Sequence, residues 1–117
     1  LKTLSIKLEQ EDAKVKLIRL PALETLMISG NLSLGNTNQN VILDCSSIHN
    51  LQTFIIEGTI TATASTIIDN FIHEIINNNK SLSHININGI SITGQKLYQQ
   101  YKTFLQPSLH RLFLEPV

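Results

Sequence analysis

The residue types best suited to covalent chemistry lie near the middle of the chain, where Asp44 and Cys45 are followed by His49. A thiolate is a strong nucleophile, and a nearby imidazole is a base that can activate it. However, no family-specific signature surrounds the cysteine, and the spacing alone does not place the three side chains in one cleft. A lone cysteine in a repetitive chain is more often a small buried apolar residue. We therefore expect Cys45 to have a structural role.

Histidines and glycines offer little support for a metal site or a phosphate site. The zinc-binding patterns of proteins bring two ligands close together in sequence, whereas the four histidines of this chain are widely scattered. The five glycines are isolated, so the sequence contains no glycine-rich loop of the kind that cradles phosphates. We expect no catalytic residues, no metal and no cofactor, and hence no enzyme activity in this chain. The histidines are His49, His73, His84 and His110.

Composition excludes several classes of partner. The 117 residues include nine basic and nine acidic side chains, and 42% of the residues are hydrophobic. Balanced charge provides no positive field for phosphates, so we expect no nucleic-acid partner. No apolar run is long enough to cross a bilayer, so we expect no membrane insertion. The single Cys45 cannot form an internal disulfide, which favours the cytoplasm, or a host cytosol if the chain is a secreted effector.

A short pattern of apolar residues, which we call the frame, recurs along the whole chain and indicates the strands that must position the residues named above. It has the form Leu-x-x-Leu-x-Ile, with conservative replacements, and each copy is suited to a strand whose second and third apolar residues point inward. The intervals between successive copies are 22, 28, 31 and 27 residues. The copies begin at Leu1, Leu23, Leu51, Leu82 and Leu109.

This frame resembles the signature of leucine-rich repeat proteins, and the strand–helix spacing is similar to that of the ribonuclease-inhibitor-like subclass. The resemblance implies an α/β solenoid, a horseshoe segment with a parallel sheet on the concave side and helices or irregular segments on the convex side. Residues 1–117 would form one leucine-rich repeat domain of about four repeats plus a terminal strand. Solenoids usually carry polar capping segments at both ends, but the first copy, at Leu1, and the last copy, at Leu109, have no recognisable cap. We therefore expect a fragment of a longer protein.

Helices are expected where apolar residues recur at helical spacing. Such stripes predict helices near residues 66–77 and 95–105, the second with Phe104 on its buried face and Pro107 at its end. Glycines are expected to end the second and third strands, at Gly30 and Gly58. Residues 41–43 are expected to be extended. The remaining residues of the two stripes are Ile67, Ile68, Phe71, Ile72, Ile75 and Ile76 in the first, and Leu97, Tyr98, Tyr101 and Leu105 in the second.

The fifth place of the frame lies between two inward residues, so the alternation of a strand turns it outward. Large apolar residues occupy this place in three copies, as Met27, Ile55 and Phe113. Neighbouring strands would join these side chains into one patch with a polar rim, as in a protein-binding hot spot. The predicted partner-binding residues are Thr25, Met27, Ser29, Thr53, Ile55, Glu57, His84, Asn86, Asn88, Arg111 and Phe113.

Two functions remain open at this point. The first is a protein–protein interaction module that presents its sheet to a protein partner, since solenoids form extended binding surfaces. The second is the substrate-recognition part of a multidomain enzyme or effector, for example a ubiquitin ligase or bacterial effector, whose catalytic domain lies outside this chain. Both functions require the same exposed sheet.

Overall fold

Four of the five repeated frames form neighbouring strands in the computed structural model, which describes residues 1–8, 15–17, 19–34, 41–43, 48–62 and 64–113. The strands are β1 (Thr3–Leu8), β2 (Val15–Leu17), β3 (Thr25–Leu34), β4 (Val41–Leu43), β5 (Thr53–Ala62), β6 (His84–Ile87) and β7 (Ile90–Thr93). The helices are α1 (Ser65–Asn78), α2 (Leu97–Gln100) and α3 (Gln106–Phe113), with a π-helical turn (Tyr101–Leu105) between the last two.

Four copies of the frame pair as predicted, in parallel and at equal register. The five-stranded sheet has the order β1-β3-β5-β6-β7, and β2 pairs with β4 in a small second sheet. Leu26 lies opposite Leu4 on one side and Phe54 on the other, and Phe54 lies opposite Ile85. The predicted parallel pairing of the Leu51 and Leu82 copies and the extended conformation of residues 41–43 are therefore confirmed.

The core lies between the inward side of this sheet and the helices. The inward residues Leu26, Phe54 and Ile85 are fully enclosed. The helix predicted at 66–77 is α1, which packs against β5 and against the C-terminal helical segment, residues 97–113. The helical residues buried in this core are Ile68, Ile72, Ile75, Leu97, Tyr101, Leu105 and Leu109.

The expected fifth strand is wrong, because Leu109 and the residues up to Phe113 belong to α3. The first two apolar places of the frame are three residues apart, a spacing that also fits one face of a helix. Leu109 continues the four-residue spacing of the buried positions 97, 101 and 105, so packing selects the helix. Leu114, the last residue of this copy, lies outside the described residues.

The helix predicted to stop at Pro107 instead runs through it, because the preceding turn has π geometry. The Gln106 amide donates to the carbonyl of Tyr101, five residues earlier. This wider turn shifts the hydrogen-bond register just before Pro107, which has no backbone N–H to donate. Phe104, expected in the core, is 61% exposed.

Gly30 and Gly58 bend their strands rather than ending them. Their φ angles are 97° and 133°, a left-handed conformation that favours glycine. The two residues lie opposite each other, so β3 and β5 turn the same corner together and remain paired beyond it. Asn88, with φ 52°, bonds both backbone groups of Gly58. Its Oδ1 accepts the Gly58 amide at 2.7 Å, and its Nδ2 donates to the Gly58 carbonyl at 2.8 Å.

The fifth strand of the sheet is β7, which returns antiparallel to β6. The two strands are joined by Asn88 and Gly89, both with positive φ. An Asn-Gly pair between two apolar runs is a strong hairpin signal, because both residues tolerate the left-handed conformation.

Asn79 joins two repeats through the interior. Its side chain is only 2% exposed; Oδ1 accepts the Leu51 amide at 2.9 Å and Nδ2 donates to the Ile75 carbonyl at 2.9 Å. Both backbone groups would lose their partners if the amide were removed.

We expect Asn79→Ala to lower the free energy of unfolding by about 1–3 kcal/mol, because a buried N–H and a buried C=O lose their hydrogen bonds. The matched control is Asn78→Ala, since the Asn78 side chain is exposed and, among the described residues, bonds only the Glu74 carbonyl of its own helix. Urea unfolding of both variants measures the difference. Equal losses would contradict the role assigned to Asn79.

Candidate functional site

The residues predicted to bind a partner lie in rows across the outer side of the sheet. Thr25, Thr53 and His84 are adjacent in one row. Met27, Ile55 and Asn86 form the next row, and Ser29 pairs with Glu57 in the third. We call this set of eight residues the outer face. Its members are half-buried, apart from Glu57, which is exposed.

Three of the predicted residues do not belong to this face. Asn88 lies in the β6–β7 turn, where its side chain is engaged with Gly58. Arg111 and Phe113 lie in α3, because the expected fifth strand is helical. The apolar centre of the outer face is therefore formed by Met27 and Ile55 alone.

A polar network borders this apolar centre on the β6–β7 side. Asn86 donates to Ser91 Oγ at 2.9 Å and accepts the Gly89 amide at 2.9 Å. His84 Nε2 is 3.5 Å from Ser91 Oγ. No carboxylate among the described residues hydrogen-bonds the His84 ring, so this pair lacks the orienting acid of a nucleophilic triad. The network instead fixes polar groups that can pair with a partner's hydrogen-bonding groups.

A second cluster, on the helical side, could not be seen in the sequence. Asp69 of α1 accepts a hydrogen bond from the Tyr101 hydroxyl, and His110 Nε2 lies 3.0 Å from Asp69 Oδ2. Tyr101 is fully buried, whereas Asp69 and His110 are partly exposed. Tyr101 and His110 follow Asp69 in the sequence by 32 and 41 residues, so the packing of the helices brings the three side chains together.

Hydrogen bonding controls the ionisation of this cluster. Burial would raise the pKa of Asp69, but hydrogen bonds with Tyr101, Gln106 and His110 outweigh it and lower the pKa below its usual value. Burial, together with the hydrogen bond to the Asp69 carboxylate, raises the pKa of Tyr101. The cluster therefore holds a charged carboxylate between α1 and the C-terminal helical segment, and it acts as a clamp between them.

We expect Tyr101→Phe to lower the free energy of unfolding by about 1–2 kcal/mol at neutral pH. A lowered pKa stabilises the folded state above the ordinary pKa of aspartate, and this contribution disappears as the pH falls through the folded value. The difference from the parent protein should thus stay constant from about pH 7 to about pH 5 and shrink as the pH falls below about 4, the ordinary pKa of aspartate. Tyr98→Phe is the control, since the Tyr98 hydroxyl bonds no described residue. A difference that does not change with pH would contradict the clamp.

Among the described residues, the remaining candidates for chemistry do not form a site. Asp44 and Cys45 lie outside the described residues, and His49 is exposed. His73 stacks edge-on against Tyr98, with ring centroids 4.5 Å apart. Within the described ranges, no three His, Cys, Asp or Glu side chains are grouped to hold a metal ion.

An open cleft of about 520 Å³ lies between the end of α1, the start of β6 and the loop before α2. Its wall includes apolar side chains of Leu82 and Leu97, and its charged lining residues are Lys80 and Lys96. The described part of the chain contains no helix with the length and apolar character that crossing a bilayer requires.

The comparisons with known proteins assign no family to this architecture. No protein-family model, no curated protein and no solved structure matches the chain. The outer face, defined by its register and its half-buried apolar pair, is therefore the basis for assigning a function.

Proposed function

We propose that the chain is a leucine-rich repeat solenoid segment that works as a protein–protein interaction module through its outer face. The observation that carries this proposal is the pairing of Met27 and Ile55 on adjacent strands of that face. Inward-pointing residues of the same strands are fully enclosed, so these two side chains are not needed to fill the core. A cytoplasmic location belongs to the same proposal and depends on the single unpaired cysteine.

The surroundings of the pair support protein recognition. Adjacent strands lie about 4.8 Å apart, so the Met27 and Ile55 side chains form one apolar surface. Thr25 and Thr53 border it on one side, and Glu57 on the other. Binding hot spots combine an apolar centre with a polar rim that excludes water from it. Enzyme activity is not part of this proposal.

The test begins with a photo-reactive amino acid introduced at Ser29, beside the apolar pair, to identify the bound protein. With that partner purified, we expect Met27→Ser combined with Ile55→Ser to weaken binding by about tenfold or more, because both anchors are lost. Calorimetric titration measures the dissociation constant. Because both residues are half-buried, circular dichroism and the thermal midpoint show whether the variant is folded.

The matched control is Phe104→Ser, which removes a large exposed apolar side chain from the helical side. It should leave the affinity unchanged. If Phe104→Ser weakens binding while the double variant binds normally, the partner uses the helices and the proposed function of the outer face is wrong.

A further inference from the structure

The cleft between the end of α1, the start of β6 and the loop before α2 has walls that are held in place by hydrogen bonds. One wall is fixed by the buried Asn79, whose side chain bonds the backbone of Leu51 and Ile75. The other wall is tied to the first where the Gly94 amide donates to the Ser83 carbonyl at 2.8 Å. The cleft therefore keeps its shape without a ligand, which lowers the cost of binding one.

The cleft is formed by internal segments of the chain. Its lining residues fall within 76–83 and 94–98, next to a strand, β6, that has β5 on one side and β7 on the other. β1 lies at the far edge of the same sheet. α3 meets α1 where His110 contacts Asp69, about two helical turns from the lining residue Ile76. Neither the first strand nor the last described helix borders the cleft.

The lining combines apolar surface with positive charge. Leu82, Leu97 and the half-buried Tyr98 contribute the apolar part. Lys80 and Lys96 are exposed, and the lining contains no carboxylate. Among the described residues, neither lysine forms an ion pair with an acidic side chain. The two ammonium groups therefore lack an anionic partner within this part of the chain.

The sequence around the cleft strengthens this positive charge, although the whole chain is neutral. Residues 75–113 contain no aspartate and no glutamate. A third ammonium group borders the cleft, since Lys102 Nζ lies 4.8 Å from the centre of the Tyr98 ring. Charge of one sign in a cleft with apolar walls raises the local concentration of oppositely charged ligands. The basic residues of this region are Lys80, Lys96, Lys102 and Arg111.

The backbone of Lys96 is a further sign of function in the cleft. Its φ of 62° and ψ of 41° are left-handed, a conformation that is uncommon for a residue with a long side chain. Gly94, two places earlier, has a positive φ at a glycine, where it carries no such cost. Strained positions of this kind cluster at ligand sites, where the side chain is needed.

We propose that this cleft binds a small organic anion with an apolar body, of the class of medium-chain carboxylates. The carboxylate group lies between the ammonium groups of Lys80 and Lys96, and the apolar chain packs against Leu82 and Leu97. The volume of about 520 Å³ falls within the usual range of about 300–1,000 Å³ for small-molecule sites. The few lysines are too sparse for the roughly 6–10 phosphate contacts typical of nucleic-acid binding. This site is separate from the outer face and independent of its proposed function.

Octanoate is the probe, because it has one carboxylate and one flexible apolar chain. It is titrated into the isotope-labelled 117-residue chain, and the amide signals of Ser81, Ser83 and Gly94 are followed by nuclear magnetic resonance. We expect saturable shifts with a dissociation constant on the order of 1 mM. Acetate carries the charge without the chain, and octylammonium carries the chain with the opposite charge. Both should bind about tenfold more weakly than octanoate.

Lys96→Gly separates charge from folding. Glycine removes the ammonium group and also accepts the left-handed backbone, so we expect an equal or higher thermal midpoint. Combined with Lys80→Gln, it should weaken octanoate binding by about tenfold, since both ion pairs are lost. Lys2→Gln is the matched control, because Lys2 precedes β1 and does not line the cleft. It should bind octanoate like the parent protein.

Four results would overturn the proposal. The first is the absence of saturable shifts at the cleft amides. The second is equal binding of octanoate and octylammonium, and the third is unchanged octanoate binding by the folded double variant. The fourth is a shift of the Ser81, Ser83 and Gly94 signals with protein concentration when no octanoate is present, because a second copy of the chain then occupies the cleft.

Discussion

Gly58→Ala should lower the free energy of unfolding by about 3–5 kcal/mol, a large share of the roughly 5–15 kcal/mol that stabilises a typical domain. A Cβ atom at this position would lie 2.1 Å from the carbonyl oxygen of Gly30, which is closer than any real contact. The obstacle is backbone, so no side-chain rotation relieves it. The φ angle of 133° adds the strain of a left-handed conformation for a residue with a side chain. Urea unfolding of the purified variant measures the loss.

Gly89→Ala is the matched control, because Gly89 also has a positive φ but has no atom within 4 Å of the added Cβ. Only conformational strain remains there, and the expected loss is about 1 kcal/mol. Similar losses for the two variants would show that the close approach of the β3 and β5 corners contributes nothing, and the paired corner would then be wrong.

Ile87→Ala should cost about 2–5 kcal/mol, because it leaves a cavity in a core that is closed on all sides. The Ile87 side chain is 1% exposed at the end of β6. The same substitution at Ile55 provides the comparison, since Ile55 lies in a parallel strand of the same sheet but on the outer face. We expect about 1 kcal/mol for Ile55→Ala, because a half-buried side chain loses less burial.

Denaturant midpoints with unchanged slopes would give both free energies. A loss at Ile55 as large as the loss at Ile87 would mean that the outer face is covered in the folded protein. The surface proposed for binding would then be part of the core.

The parallel sheet could be predicted from sequence because its signal is repeated. Any single copy of the frame is ambiguous, since two apolar residues three places apart suit both a strand and a helix. Agreement among the copies at Leu1, Leu23, Leu51 and Leu82 selects the strand, because only parallel stacking buries all of them together. The copy at Leu109 looks the same in sequence but forms a helix, because Leu109 continues the buried helical face that includes Tyr101 and Leu105.

The two corner glycines show what local sequence could not reveal. A glycine within a strand signals either an end or a bend, and the difference depends on the neighbouring strand. Gly30 and Gly58 bend because they lie opposite each other, and this register becomes known only once the strands are paired. The Asn88-Gly89 turn, in contrast, is a local signal of a hairpin that sequence analysis could have used.

Some residues of the candidate site were likewise predictable from local pattern, and others depend on tertiary packing. The outward direction of Met27 and Ile55 follows from the alternation of a strand and was predictable from the frame. Arg111 and Phe113 were assigned to the site only through the expected fifth strand. Because that segment is helical, neither residue belongs to the outer face. The Asp69–Tyr101–His110 cluster was not predictable, because its members meet through the packing of two helices rather than through any spacing in the sequence.

Met27 is the only methionine in the chain, and it lies at the apolar centre of the outer face. Methyl-labelled methionine therefore gives a single nuclear magnetic resonance signal that reports on the proposed binding surface. If the outer face binds the partner identified from Ser29, we expect the signal to shift or broaden on addition of that partner. The change should be half-complete at a free partner concentration equal to the dissociation constant measured by calorimetry. An unchanged Met27 signal in a saturated complex would contradict this central claim.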